Sequence, residues 1–145
     1  MNHGSGRVLA LDFGKRRIGL AISDELGWTA QGLPTLVRTR IREDLNRLAT
    51  LIAEHNVTLL LFGLPLHMSG DESRQAGHVR EFAARLEART GIPVHYLDER
   101  LTSREAERVL RSSGISIEKR AKAVDKLAAV LLLESYLEQP RGDGE

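Results

Sequence analysis

Short apolar runs set off by polar turns open the chain, and helical spacing takes over after them. Residues 8–11 (VLAL) are apolar and read as a buried strand. Ile18, Leu20 and Ile22 then alternate with Gly19, Ala21 and Ser23, which predicts a second strand with only small side chains on one face. Residues 13–17 between them are short enough for a hairpin connection, with Gly14 as a residue that tolerates positive φ. Residues 27–39 favour a third strand, and Pro34 within it argues for a sheet edge or a bulge. Short links between the three predict an antiparallel meander.

Ile41, Leu45, Leu48 and Ile52 fall on one face of a helix that runs to about His55. Residues 57–62 (VTLLLF) form a continuous apolar run, the pattern of a strand covered on both faces. Residues 63–70 (GLPLHMSG) are a loop by their Gly, Pro and Ser content. Residues 71–90 predict a helix with Val79, Phe82, Ala83 and Leu86 on its apolar face, stopped by Gly91 and Pro93. A short strand at 94–97 leads into Asp98, Glu99 and Arg100. Thr102 and Glu105 match a capping box that starts a helix carrying Ala106, Val109 and Leu110 and ending near Gly114. The last helix runs from about Lys119 to Glu138, and its segment 127–133 is apolar on every face, so burial all round is expected. The order β-β-β-α-β-α-β-α-α calls for an α/β fold, a mixed sheet with helices on both faces. No repeat or linker interrupts it, which predicts one domain over 1–145 with flexible ends at 1–6 and 139–145.

Composition narrows the chemistry. The absence of cysteine excludes a disulfide framework, an iron–sulfur cluster and a thiolate zinc site, and suits a reducing cytoplasm. No apolar run is long enough to span a membrane, and the lead-in MNHGSG lacks the apolar stretch of a signal peptide. With a net charge of only +1, any nucleic-acid surface must come from local clustering.

Acids fall at three places where the patterns predict burial: Asp12 ends the first strand, Asp98 and Glu99 end the last, and Asp125 precedes the apolar stretch of the final helix. Each has an ordinary structural explanation. Asp12 with Gly14 fits a strand-end turn, Asp125 has Lys122 and Lys126 as neighbours to pair with, and Glu99 has Arg100. Taken together they suggest more. The two-residue strand period groups His95, Leu97 and Glu99 on one face and Tyr96 with Asp98 on the other, so only one of the two acids shares the side of Asp12. Carboxylates that converge from separate elements repel unless a cation lies among them, and oxygen-only ligation suits Mg²⁺ or Mn²⁺. Such ions activate water and stabilise the leaving oxygen of a phosphodiester. Lys15, Arg16 and Arg17 in the first hairpin, Arg100 and Arg104 after the last strand, and Lys119, Arg120 and Lys122 in the final helix are placed to neutralise phosphates. The alternative for each cluster is a solvated charged face. Aromatic residues make up 4% of the chain, too few for a base-stacking platform.

Four segments, in this order, resemble the YqgF family, described as Holliday-junction-resolvase-like and as candidate pre-16S ribosomal RNA nucleases. They are LALDFGKRRIGLAIS, LLLFGLPLHMSG, LDERLTSREAE and VDKLAAVLLLESYLEQ. The resemblance implies an RNase H-like fold, a five-stranded mixed sheet with three antiparallel and two parallel strands. It also implies Mg²⁺- or Mn²⁺-dependent phosphodiester hydrolysis, with Asp12, Glu99 and Asp125 as the acidic triad and structured nucleic acid as substrate. The first candidate is precursor 16S rRNA, met on ribosomal particles, by a monomer or homodimer. The alternatives are a DNA junction resolvase, a non-catalytic ribosome-assembly factor and, against the length of the chain, an actin-like ATPase. Two departures stand out. The fourth strand ends Phe62-Gly63-Leu64, where RNase H-like nucleases commonly carry an acid, so that work shifts to Glu99. His67 replaces an Asn frequent in the family's Gly-Leu-Pro loop, which makes it a loop residue or an accessory group for phosphate contact or proton transfer.

Overall fold

β1 (Arg7–Phe13) is the middle strand of a five-stranded sheet ordered β3-β2-β1-β4-β5. The structure, a computed structural model, describes residues 6–66, 69, 73–98 and 117–139. β2 (Arg17–Ser23) and β3 (Ala30–Val37) complete the expected antiparallel meander, while β4 (Val57–Leu64) and β5 (Val94–Asp98) add in parallel on the other side of β1. Helices α1 (Ile41–Glu54) and α2 (Arg74–Thr90) cover one face, and α3 (Ile117–Glu138) covers the other. The helix expected at 102–114 lies outside the described residues.

Side-chain alternation divides the core in two. Leu9, Leu11 and Phe13 of β1 pack with Ile18, Leu20 and Ile22 of β2 under α1 and α2. Ala10, Ala21 and Leu61 meet Ala129, Leu132 and Leu133 of α3 on the opposite face. Large residues on one face and small ones on the other let α3 approach the sheet closely. β4 is buried on both sides, as its unbroken apolar run demands. Each fully buried Leu or Phe here, such as Leu48 or Phe62, contributes about 1.5–3 kcal/mol by leaving water.

Several local expectations change. Gly14 does not adopt positive φ; its N–H bonds Arg17 O at 2.9 Å to close the hairpin, and among the described residues the left-handed glycines are Gly27 and Gly91. β3 starts later than the pattern suggested, because the Asp24 carboxylate accepts the N–H groups of Trp28 and Thr29 and holds those residues in a turn. α2 begins at Arg74, capped by Ser73, whose hydroxyl accepts the Ala76 N–H. Ile41 is exposed at the start of α1, whereas Asp44 is fully buried; its carboxylate accepts the Thr39 N–H, with Arg38 and Arg47 close by. The segment 127–133 is not covered all round. Ala128, Ala129, Leu132 and Leu133 face the sheet, Val130 packs at the edge of that layer over Gly32 of β3, and Leu127 and Leu131 are only partly buried.

Candidate active site

Asp12 lies next to last in β1, on the face that α3 covers, because it alternates in phase with Ala10 and out of phase with Leu11 and Phe13. Its cross-strand partner is Gly19. A Cβ at Gly19 would collide with the backbone carbonyl of Asp125, so the missing side chain is what admits α3 at that point. β3 prepares the same spot. Leu33 pairs with Leu20 and Leu36 with Ile18, so three steps of β3 span two of β2, a bulge at Pro34 and Thr35 opposite Gly19. Thr35 then donates its hydroxyl to the backbone carbonyl of Lys122, 3.0 Å away. The inward stripe of α3 runs Asp125, Ala128, Ala129, Leu132, Leu133 at helical spacing, and its first member arrives over Gly19, the cross-strand partner of Asp12. This is the carboxyl end of the parallel strands, where open α/β sheets bind their ligands.

The carboxylate of Asp125 is held by Arg17, whose Nε donates to Oδ2 at 2.6 Å. Both side chains are partly buried, at 31% and 21% exposure. Burial pushes the Asp125 carboxyl above its ordinary value of 3.8, and the hydrogen bond and positive charge of Arg17 pull it back. The partner of Asp125 is therefore Arg17, across 108 residues, and neither Lys122 nor Lys126. Arg17, expected beside Lys15 and Arg16 among the phosphate-facing bases, thus has its Nε engaged by Asp125. Alternation on β2 turns its side chain toward α3 with Gly19 and Ala21.

The remaining candidates divide by position. Lys15 and Arg16 are exposed at the tip of the β1–β2 hairpin, and Lys122 is exposed near the start of α3. Lys119 and Arg120 belong to the first turn of α3. On β5, His95 contacts the ring of Tyr136 of α3 and Leu97 packs with the α3 layer, while Tyr96 joins the α1–α2 layer. That is the strand parity the sequence suggests. Glu99, Arg100, Arg104 and His67 lie outside the described residues. Among the described residues no three His, Asp or Glu side chains gather tightly enough to hold a metal. Gly19, Thr35 and the role of Arg17 escaped the sequence reading, although the small-residue face of β2 was their signal.

Comparison with known proteins gives the chain's family and fold. The model of a family described as RuvX, Holliday junction resolvase, matches residues 6–139. The chain belongs to the RuvX family. A relative from Koribacter versatilis, named as a candidate pre-16S rRNA nuclease, is 54% identical over 140 residues, covering 97% of this chain and 92% of its own. A second from Syntrophus aciditrophicus, of the same description, is 48% identical and covers 91% and 88%. Among solved structures, RuvC of T. thermophilus in complex with a Holliday junction substrate superposes with a TM-score of 0.59 at 14% identity, covering 91% of this chain and 96% of that one. The Fowlpox virus resolvase, bound to Holliday junction DNA, gives 0.56 at 13% identity over 91% and 97%. At such low identity these two show the fold alone, and they agree with the RNase H-like sheet expected from the sequence.

Proposed function

We propose that this RuvX-family chain is a divalent-metal-dependent nuclease that hydrolyses phosphodiester bonds of structured nucleic acid in the cytoplasm, acting on the 5′ end of precursor 16S rRNA. The observation that carries this reading is the delivery of Asp125 onto Gly19, directly cross-strand from Asp12. Two carboxylates from distant parts of the chain are thereby carried to one strand end. Their all-oxygen donor set fits Mg²⁺ or Mn²⁺. Asp12 and Asp125 are the ligands we assign, with Glu99, which the sequence's two-residue strand period groups with His95 and Leu97, as the third. A bound ion of this kind supplies Lewis-acid activation of water and neutralises charge at the phosphoryl oxygens. Arg17 holds Oδ2 of Asp125, and Oδ1 would be the oxygen offered to such an ion. Lys15, Arg16 and Lys122, exposed around this end of the sheet, hold the sugar–phosphate backbone, together with Lys119, Arg120, Arg100 and Arg104. His67 is left as an accessory candidate.

Cleavage of precursor rRNA ends, four-way DNA junctions and single strands, with Mn²⁺ and with EDTA, tests the reading. Wild type should cut the rRNA ends, and Asp12→Asn and Glu99→Gln should cut nothing, whereas Asp98→Asn keeps most of the rate. Preference for the junction would move the substrate to DNA, the second reading, which the family description favours. Thermal melts add a readout independent of turnover. Mn²⁺ should raise the wild-type Tm, because the ion binds only the folded cluster, and should raise that of Asp12→Asn much less. In EDTA the variant should match wild type or exceed it by on the order of 1 kcal/mol, as relief of carboxylate repulsion requires. A turn-capping role for Asp12 predicts instead a loss of about 0.5–2 kcal/mol and no metal response.

A further inference from the structure

On the face of the hairpin away from Asp12, a cavity of about 270 Å³ opens between the hairpin tip, the start of α1 and the outer side of α2. We propose that it is a subsite for one nucleotide of the substrate strand, flanking the phosphate that is cut. The proposal rests on the nuclease reading for the strand's identity and on the cavity's own chemistry for its fit.

Lys15, Arg38, His78 and Arg85 line it, against Glu81 as the only acid among the lining residues. The charge of Arg38 is shared with buried Asp44, 3.7 Å from its Nε. Lys15 and Arg85 have no ion-pair partner among the described residues and are exposed. Two free cations facing one cavity attract an anion, and phosphate oxygens suit both Lys and Arg donors. Gln75, 3.4 Å from His78 Nδ1, adds a neutral polar group, and the rest of the wall is apolar. Phe13 and Phe82 stack at 4.4 Å between ring centroids, and Ile41 is 40% exposed beside them. Ile41 adds apolar surface at the rim of a cationic cavity, a combination that fits a ligand carrying a phosphate on a flat or sugar-like body.

The cavity is preformed. The Arg38 guanidinium lies 4.4 Å over the Phe13 ring and donates from one Nη to the carbonyls of Gly14 (2.9 Å) and Lys15 (3.2 Å). That clamp ties the hairpin tip to the start of α1, so Lys15 is held at the edge of the cavity. Topology then links it to the acidic site. Asp12 and Phe13 are consecutive and point to opposite faces of β1, so the hairpin tip divides the two. A strand crossing the tip reaches both.

The test measures binding of a 5′-fluorescein-labelled RNA pentanucleotide of mixed sequence to the full chain by anisotropy, in EDTA so that no cleavage occurs. Arg85→Glu and, separately, Ile41→Asp alter exposed residues and should leave the melt unchanged. Each should weaken binding about tenfold, equivalent to about 1.4 kcal/mol, while the Mn²⁺-induced rise in Tm persists. Uridine monophosphate should displace the RNA at lower concentration than inorganic phosphate does. Affinities within about twofold of wild type in both variants overturn the proposal, and equal competition by phosphate reduces the cavity to a plain anion site and overturns the nucleotide assignment. Cleavage by wild type alongside normal binding by both variants rejects the subsite and keeps the nuclease. A chain that cleaves nothing still gives a clear answer in the EDTA assay.

Discussion

Asp125 sits between two opposing influences, and the balance can be measured. Burial raises its pKa above 3.8, so between that value and its folded pKa the folded chain holds a proton that the unfolded chain has lost. Stability therefore falls as pH rises through this window. Arg17 works against that loss by stabilising the ionised carboxylate at 2.6 Å. Removing Arg17 leaves a partly buried charge without its donor, so Arg17→Ala should cost about 1–2 kcal/mol near neutral pH in EDTA, discounted for the partial exposure of both groups. The cost should shrink at pH below 3.8, where Asp125 is protonated in both states. In an Asp125→Asn background the same substitution should cost much less, giving a coupling of roughly 1 kcal/mol in the double-mutant cycle. Additive losses at every pH would mean that Arg17 acts through packing and not through this carboxylate. The acid was visible in the sequence and its partner was not. Lys122 and Lys126 are near in sequence, but on a helix docked through Asp125 itself they lie to the side, exposed to solvent.

At the scale of elements, the docking of α3 depends on two glycines of unequal consequence. Gly19 faces backbone: a Cβ there meets the carbonyl of Asp125, which cannot move without shifting the helix. Gly32 faces the Cγ and Cδ of Lys126, 2.6 and 2.7 Å from a Cβ, and an exposed lysine stem can swing aside. Gly19→Ala should thus destabilise by about 1–3 kcal/mol, the usual cost of overpacking a close contact. It should also lower the Mn²⁺-induced rise in Tm by displacing Asp125. Gly32→Ala should stay within about 0.5 kcal/mol of wild type. Equal effects in the two melts would show that α3 floats on the sheet and is not seated at Gly19. The strands and helices themselves were legible. Period-two alternation announced β2, the unbroken apolar run of 57–62 announced β4, and Pro34 pointed to an edge position or a bulge, and both occur. What the pattern could not give was the position of the bulge. It is set by the pairing of Leu33 with Leu20 and Leu36 with Ile18, a matter of register between strands. Helix burial was overstated for the same reason: an all-apolar stretch has no preferred face until the sheet beneath selects one.

Across the whole molecule, charge is distributed in a way that helix stability does not explain. α3 carries Lys119, Arg120, Lys122 and Lys126 toward its N-terminal end, with Glu118 and Asp125 among them, and Glu134 and Glu138 toward its C-terminal end. Excess positive charge near a helix N-terminus and negative charge near its C-terminus both oppose the macrodipole, at about 0.3–1 kcal/mol for each charge within the terminal turns. The last turn contains no basic residue to offset this. The net charge of +1 conceals the asymmetry, because acids at one end of the helix cancel bases at the other. The basic end is the one that docks beside Asp12, as Thr35 and Gly19 show by their approach to Lys122 and Asp125. The layout makes sense if those cations neutralise phosphates. Replacing Lys119, Arg120 and Lys122 together with Ala removes charges that oppose the dipole, so the melt should hold or rise slightly. Binding to duplex or single-stranded probes in EDTA should nonetheless weaken. The slope of log affinity against log salt should flatten by about 0.9 for each phosphate no longer neutralised on a duplex, or about 0.7 on a single strand. A triple variant that binds more weakly with an unchanged slope would show that these side chains shape the surface without touching phosphate. One that binds as tightly as wild type would remove the start of α3 from the interface and leave Lys15 and Arg16 at the hairpin to carry it.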